Sequence, residues 1–122
     1  MAPKNKKRLL IVDDEEGIRE SLALAFEIEG YPVYSACDGA EALEQIQKHK
    51  IDIVISDIRM PNKDGIALLQ EIRKHDPSVP IVLLMSAYTE FTEQDLKRMG
   101  ASTLLRKPID LDTLIGMVGA IN

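Results

Sequence analysis

Short aliphatic runs rich in β-branched residues alternate along this chain with longer stretches whose apolar residues recur at helical spacing. The short runs cover residues 9–12, 33–37, 51–56, 81–86 and 103–105. Between them, Ile18, Leu22, Ala25, Phe26 and Glu29 follow a three-and-four ladder that is apolar except at its last rung. Such a ladder marks one buried helix face. Ala40, Leu43, Ile46 and Gln47 form a weaker ladder, and Ile66, Leu69 and Ile72 a third. Leu96 and Met99 mark a short fourth, and Leu111, Leu114, Ile115 and Val118 a fifth. Turn and cap residues fall between these segments. Gly30 follows the first helix, Pro32 opens the second strand, and Pro77 and Pro80 bracket the entry to the fourth. Asp38-Gly39 and Asp64-Gly65 stand where helices begin.

Strand alternating with helix gives a mostly parallel sheet covered on both faces. The runs around Val12, Val54 and Leu83 are continuously apolar, which places them at the centre of the sheet. A proline at the start of the second strand suits an edge. The fifth run is short and ends in Arg106-Lys107, which suits the other edge. These constraints predict an α/β fold, a flavodoxin-like doubly wound (βα)5 unit with parallel strand order 2-1-3-4-5. In that order strands 1 and 3 are neighbours, and ligands bind beyond the carboxyl ends of the strands at that switch point.

Composition narrows the picture. A length of 122 residues predicts one domain over 1–122, with its core about 8–121 and no output domain in this chain. An apolar fraction of 45% supports a real core, and 29% charged residues without a low-complexity tract argue against disorder. The net charge of −5 makes direct nucleic-acid binding unexpected. The basic stretch at residues 1–8 is the local exception and reads as a solvated lead-in to the first strand. No apolar run approaches the ~18 residues of a membrane span, and the first is too short for a signal peptide. Cys37 is the only cysteine, so no intrachain disulfide forms, and it reads as a packing residue. The expected location is the cytoplasm.

Candidate chemistry lies at the predicted strand ends. Strand 1 ends in Asp13-Asp14, strand 3 in Asp57, strand 4 in Ser86-Ala87 and strand 5 in Lys107-Pro108. Crowded carboxylates are expensive unless paired. Three of them against one lysine leave an excess that a divalent ion would cancel, and magnesium prefers a few carboxylates with water and phosphate. Asp57 is the best nucleophile candidate, since a carboxylate can attack phosphorus to give an acyl phosphate. Lys107 would supply charge and the Ser86 hydroxyl a hydrogen bond. Each residue alone has a plainer reading. The run Asp13 to Glu16 suits a helix start, Asp57 a turn, Ser86 a strand end, and Lys107 a solvated edge. Their convergence on one crevice favours the chemical reading.

With these residues the chain resembles the receiver domain of bacterial two-component response regulators. The likeness rests on Leu10-Ile11-Val12-Asp13-Asp14-Glu15, Asp57-Ile58-Arg59-Met60-Pro61 with Asp64-Gly65, Met85-Ser86-Ala87, Gly100-Ala101 and Lys107-Pro108. It runs from about Arg8 to the end. The resemblance implies that Asp57 accepts a phosphoryl group from a histidine of a sensor kinase or phosphotransfer protein. It implies magnesium (or manganese) held by Asp13, Asp14, Asp57 and the backbone carbonyl of Arg59, with Asp13 acting largely through water. Lys107, Ser86 and the Ala87 N–H would bind the phosphoryl group, and the Lys107–Pro108 peptide would be cis. Arg59 and Tyr88 resemble positions that tune the lifetime of the phosphate.

One departure stands out. The family's switch aromatic falls at Leu104, and a leucine cannot swing and report as a ring does. Helix 5 is also unusual, since residues 112–122 hold no Lys, Arg or Glu and include Gly116 and Gly119. Met117 and Ile121 add apolar surface there, which suits either a frayed terminus or an interface, including a phosphorylation-dependent homodimer. His49 and His75 fall near helix ends, away from the crevice. An aspartate phosphatase would need a second acid two residues after Asp57, where Arg59 stands. A flavodoxin-like nucleotide binder would need a Ser/Thr/Gly-rich loop after strand 1. The remaining alternative is a receiver-fold binding module that works without phosphorylation. The downstream protein partner is not named by the sequence.

Overall fold

A computed structural model describes residues 6–121 of the chain. Residues 1–5, the start of the basic stretch, lie outside the described residues, as does Asn122. The elements in order are β1 (Leu9–Val12), α1 (Glu16–Ile28), β2 (Val33–Ala36), α2 (Gly39–Lys48), β3 (Ile53–Asp57), α3 (Gly65–His75), β4 (Ile81–Ser86), α4 (Glu93–Arg98), β5 (Thr103–Arg106) and α5 (Leu111–Ala120). All strand pairs are parallel and the order is β2-β1-β3-β4-β5, as the hydrophobic pattern predicts.

Side chains alternate across the strands and divide the core in two. Leu10, Val12, Val54, Val82, Leu84 and Leu104 pack against α2, α3 and α4. Leu9, Ile11, Ile53, Ile55, Leu83 and Met85 pack against α1 and α5. Central strands with both faces covered explain why their sequences read as unbroken apolar runs. The edge strands β2 and β5 are only partly buried.

Local signals set the helix starts. Asp38 and Asp64 accept from the backbone N–H of Glu41 and Ala67, each at 2.8 Å, as N-caps of α2 and α3. Gly30 ends the first helical segment at φ +92°. The Val79–Pro80 and Lys107–Pro108 peptides are cis, the second as the resemblance implies.

Two expectations are corrected. The weak α2 ladder is displaced, since Ala42 is buried with Leu43 and Ile46 beside it, while Ala40 and Gln47 face outward. Ala40 and Ala42 flank the line through Leu43 and Ile46 with the same side chain, so a three-and-four ladder can be drawn through either. The cap at Asp38 and the close seating of Gly39 on the Lys63 carbonyl fix the helix's rotation instead. β3 starts at Ile53, not Ile51, because the N–H groups of Asp52 and Ile53 both donate to the Arg8 carbonyl ahead of β1. Ile51 is buried outside the ladder.

Candidate functional site

The carboxyl ends of β1, β3, β4 and β5 meet at one cleft of about 320 Å³. Asp13 directly follows β1 and is fully buried, while Asp14 beside it is exposed. Asp57 is the last residue of β3 and is 7% exposed. Each of these three carboxylates brings an oxygen within 4.8 Å of the others.

Lys107 joins two of them. Its Nζ lies 3.2 Å from Asp13 Oδ2 and 3.1 Å from Asp57 Oδ2, and its side chain is 15% exposed. Lys107 reaches this point because its backbone N–H donates to the Ser86 carbonyl at 3.0 Å, extending the β4–β5 ladder by one residue. It is therefore not the solvated edge charge that its place in the sequence also allowed. Burial pushes the Asp57 carboxyl above the usual aspartate value, aided by Asp13, against the pull of Lys107. Burial works against the Lys107 ammonium too, but hydrogen bonds to Asp57 and Asp13 outweigh it and raise its pKa.

The backbone around Asp57 is tightly held. The Ile58 N–H donates to the Met85 carbonyl at 2.9 Å, and the Gly65 N–H returns to the Ile58 carbonyl at 2.8 Å. A Cβ at Gly65 would collide with the Asp57 carbonyl oxygen, so only glycine allows the β3–α3 loop to close here. Asp13 Oδ1 accepts from the Glu15 N–H at 2.9 Å, while Glu15, the N-cap of α1, makes no side-chain capping bond. Of the acidic run Asp13 to Glu16, only the first carboxylate is buried in the site.

Ser86 is 2% exposed at the end of β4. Its hydroxyl donates to the Tyr88 carbonyl at 2.5 Å, within the loop that follows. Ala87 and Tyr88 line the same cleft, and so does Arg59. The Arg59 guanidinium carbon lies 5.6 Å from the Tyr88 ring centroid, a cation–π pair at the cleft's rim. Leu104 is 9% exposed and packs into the core beneath α4. Its N–H donates to Glu93 Oε2 at 3.3 Å, and the Thr103 hydroxyl donates to the same oxygen at 2.6 Å. His49 and His75 do not line the cleft. His49 caps the carboxyl end of α2 and stacks on Tyr34, and His75 ends α3. Cys37 is half-buried and donates to Glu41.

Arg19 belongs to the site's surroundings, although its place in the sequence does not single it out. Its Nη1 donates to the Asp13 carbonyl at 2.7 Å and steadies the β1–α1 turn. The only signal was an arginine one helical turn beyond the acids, which reads as an ordinary surface charge.

The donor set suits a hard divalent cation. Every candidate ligand is oxygen, two carboxylates are buried, and Lys107 offsets only part of their charge. Among the described residues, no helix is long and apolar enough to cross a membrane.

A family model for the response regulator receiver domain matches residues 9–119. The chain belongs to that family. It is 37% identical to sporulation initiation phosphotransferase F of Bacillus subtilis, over 88% of this chain and 87% of that protein. It is 43% identical to the regulatory protein AtoC of Escherichia coli over 88% of this chain, but spans only 23% of AtoC's length. Among solved structures, chemotaxis protein CheY4 of Vibrio cholerae superposes with a TM-score of 0.87 at 30% identity, covering 96% of this chain and 99% of that one. The CheX–CheY–BeF3–Mg complex of Borrelia burgdorferi matches with a TM-score of 0.86 at 34% identity, covering 94% of this chain and 88% of that one. The receiver domain is a two-component signalling module and not a conventional enzyme.

Proposed function

We propose that this receiver domain is a magnesium-dependent phospho-accepting switch, with Asp57 as the acceptor and a phosphohistidine protein as donor. The observation that carries the reading is the cleft itself, where Lys107 bridges Asp13 and Asp57 while Asp14 completes a three-carboxylate cluster. A structural role alone gives no reason to hold three acids together beside one lysine.

In this reading an Asp57 carboxylate oxygen attacks phosphorus. The P–N bond of the phosphohistidine breaks, its electron pair stays on the imidazole nitrogen, and that nitrogen takes a proton from solvent. A new carboxyl O–P bond forms on Asp57. Asp13, Asp14, Asp57 and the Arg59 carbonyl would hold magnesium, which supplies positive charge against the phosphoryl oxygens. Lys107 supplies the rest from the β5 side, already 3.1 Å from Asp57. The Ala87 N–H adds a donor. The Ser86 hydroxyl leaves the Tyr88 carbonyl to meet a phosphoryl oxygen, and that exchange pulls on the β4–α4 loop. Reversal by water breaks the O–P bond, returns the electron pair to the carboxylate and releases inorganic phosphate and a proton.

Arg59 and Tyr88 set how quickly that water arrives, because their paired side chains stand at the rim of the cleft. Beside it, an apolar groove of about 800 Å³ shares Ala87 and Lys107 and runs over Ile18, Leu22, Ile109 and Leu111. A helix bearing the donor histidine fits there, with its imidazole turned toward Asp57. The protein works in the cytoplasm in this account, as one domain with its core about 8–121. Its output runs through the surface of α4, β5 and α5, where Leu104 takes the place of a movable ring.

Intact-mass spectrometry after incubation with magnesium and acetyl phosphate tests the proposal. One added phosphoryl group is expected, lost with a chelator and absent from Asp57→Asn. No gain in a folded wild-type chain would overturn it and leave the phosphorylation-independent binding module.

A further inference from the structure

We propose that Asp38 and Asn62 form a positioning latch that sets the β3–α3 loop in the conformation needed to bind the metal ion. The inference rests on the reading of the acidic cleft as a magnesium site. Asp38 is far from being just a helix cap. It is 9% exposed, and its two carboxylate oxygens do different things. Oδ1 accepts from the Glu41 N–H at 2.8 Å, which caps α2. Oδ2 accepts from the side-chain amide of Asn62, also at 2.8 Å, across twenty-four positions of sequence. Capping needs one oxygen, and a serine would supply it. The second oxygen is committed to the loop. Both bonds hold the Asp38 carboxyl below the usual aspartate range, so it is ionised at neutral pH.

Asn62 is the one non-glycine residue with positive φ among the described residues, at +65°. Asparagine tolerates that region better than most side chains. Next to it, the Lys63 carbonyl accepts from the Gly39 N–H at 2.9 Å. A Cβ on Gly39 would stand 2.5 Å from that oxygen and 2.8 Å from Lys63 Cγ, so the close approach requires glycine. The β2–α2 turn thus grips the loop at two adjacent residues. The loop's base is closed separately by the Gly65 N–H on the Ile58 carbonyl. Arg59 lies between base and tip, and its carbonyl is the one loop atom assigned to the ion. A backbone carbonyl is a good ligand only where its loop is fixed, and outer partners that orient ligands commonly matter about 10–100-fold in affinity.

Two variants separate latch from fold. Asn62→Gly keeps the positive φ available and removes only the amide. Asp38→Ser keeps a cap for Glu41 but cannot also reach Asn62. Magnesium binding is measured by isothermal titration calorimetry on the whole chain, and phosphorylation from acetyl phosphate is followed at low and saturating magnesium. Both variants should bind magnesium roughly tenfold more weakly. Their phosphorylation should be slow at low magnesium and return close to the wild-type rate at saturation. Asp38→Asn should recover most of the affinity, since it can still cap α2 and pair with a reversed Asn62 amide. Asn62→Gly binding magnesium as wild type does would overturn the latch. So would a phosphorylation defect in Asp38→Ser that saturating magnesium leaves in place, which marks general loss of structure. A wild type that binds no magnesium would instead overturn the reading of the site.

Discussion

As the proposed acceptor, Asp57 combines two demands that oppose each other. A nucleophilic carboxylate must be ionised, yet its place at the end of a central strand takes it out of water. Burial raises its pKa, with Lys107 offsetting part of the cost. A carboxyl raised in the fold favours the protonated form there. Its contribution to stability is therefore present below the ordinary aspartate range and is lost as pH rises through the raised value. Asp57→Asn removes that loss. Without metal the variant should melt above wild type at neutral pH, and the gap should close as pH falls below the ordinary carboxylate range. Thermal melts in chelator across pH check this, and a gap independent of pH would contradict it. At the rim, Arg59 and Tyr88 form one unit, so their effects should not add. Arg59→Ala and Tyr88→Ala should each shorten the phosphoryl lifetime several-fold, and the double variant little more than either. Decay followed by intact mass shows whether they do, and lifetimes that multiply would dismiss the pairing.

Among the elements, α5 departs furthest from good helix composition. Gly116 sits in its exposed interior, and a Cβ there would meet nothing within 4 Å. Glycine in such a place costs roughly 1 kcal/mol against alanine. Gly116→Ala should therefore raise the melting temperature by about 4 °C for a domain of this size. An unchanged or lower value would mean that a close partner, such as a second copy, occupies that space. The proposed switch position is different in kind. Leu104 is locked in the core while Glu93 at the start of α4 accepts from both Thr103 and Leu104. Where a ring would rotate, this chain ties α4 to the free edge of β5 by one carboxylate. Movement of the β4–α4 loop would reach that surface by shifting Glu93.

At the scale of the whole molecule, the strand order was legible because each central strand is apolar on both faces and each edge is short or follows a proline. Once that order is fixed, topology alone brings Asp13, Asp14, Asp57, Ser86 and Lys107 to one end of the sheet. What stayed hidden depends on side-chain direction. The sequence names Ser86 but not that its hydroxyl turns back to the Tyr88 carbonyl. Asp38-Gly39 reads as a helix start, and nothing in it announces the second bond to Asn62. Arg19 looks like any helix charge until its hydrogen bond to the Asp13 carbonyl is seen. The rotation of α2 is ambiguous for a different reason, since Ala40 and Ala42 offer the ladder the same side chain and only packing shows which is buried.

The claim that joins these scales is that the fold delivers one particular carboxylate to the phosphoryl donor. Borohydride reduction converts an aspartyl phosphate to homoserine, which peptide mass spectrometry can locate. After incubation with acetyl phosphate and magnesium, homoserine is expected at position 57 alone. Homoserine at position 13 or 14, or none in a chain that carries phosphate, would contradict the account.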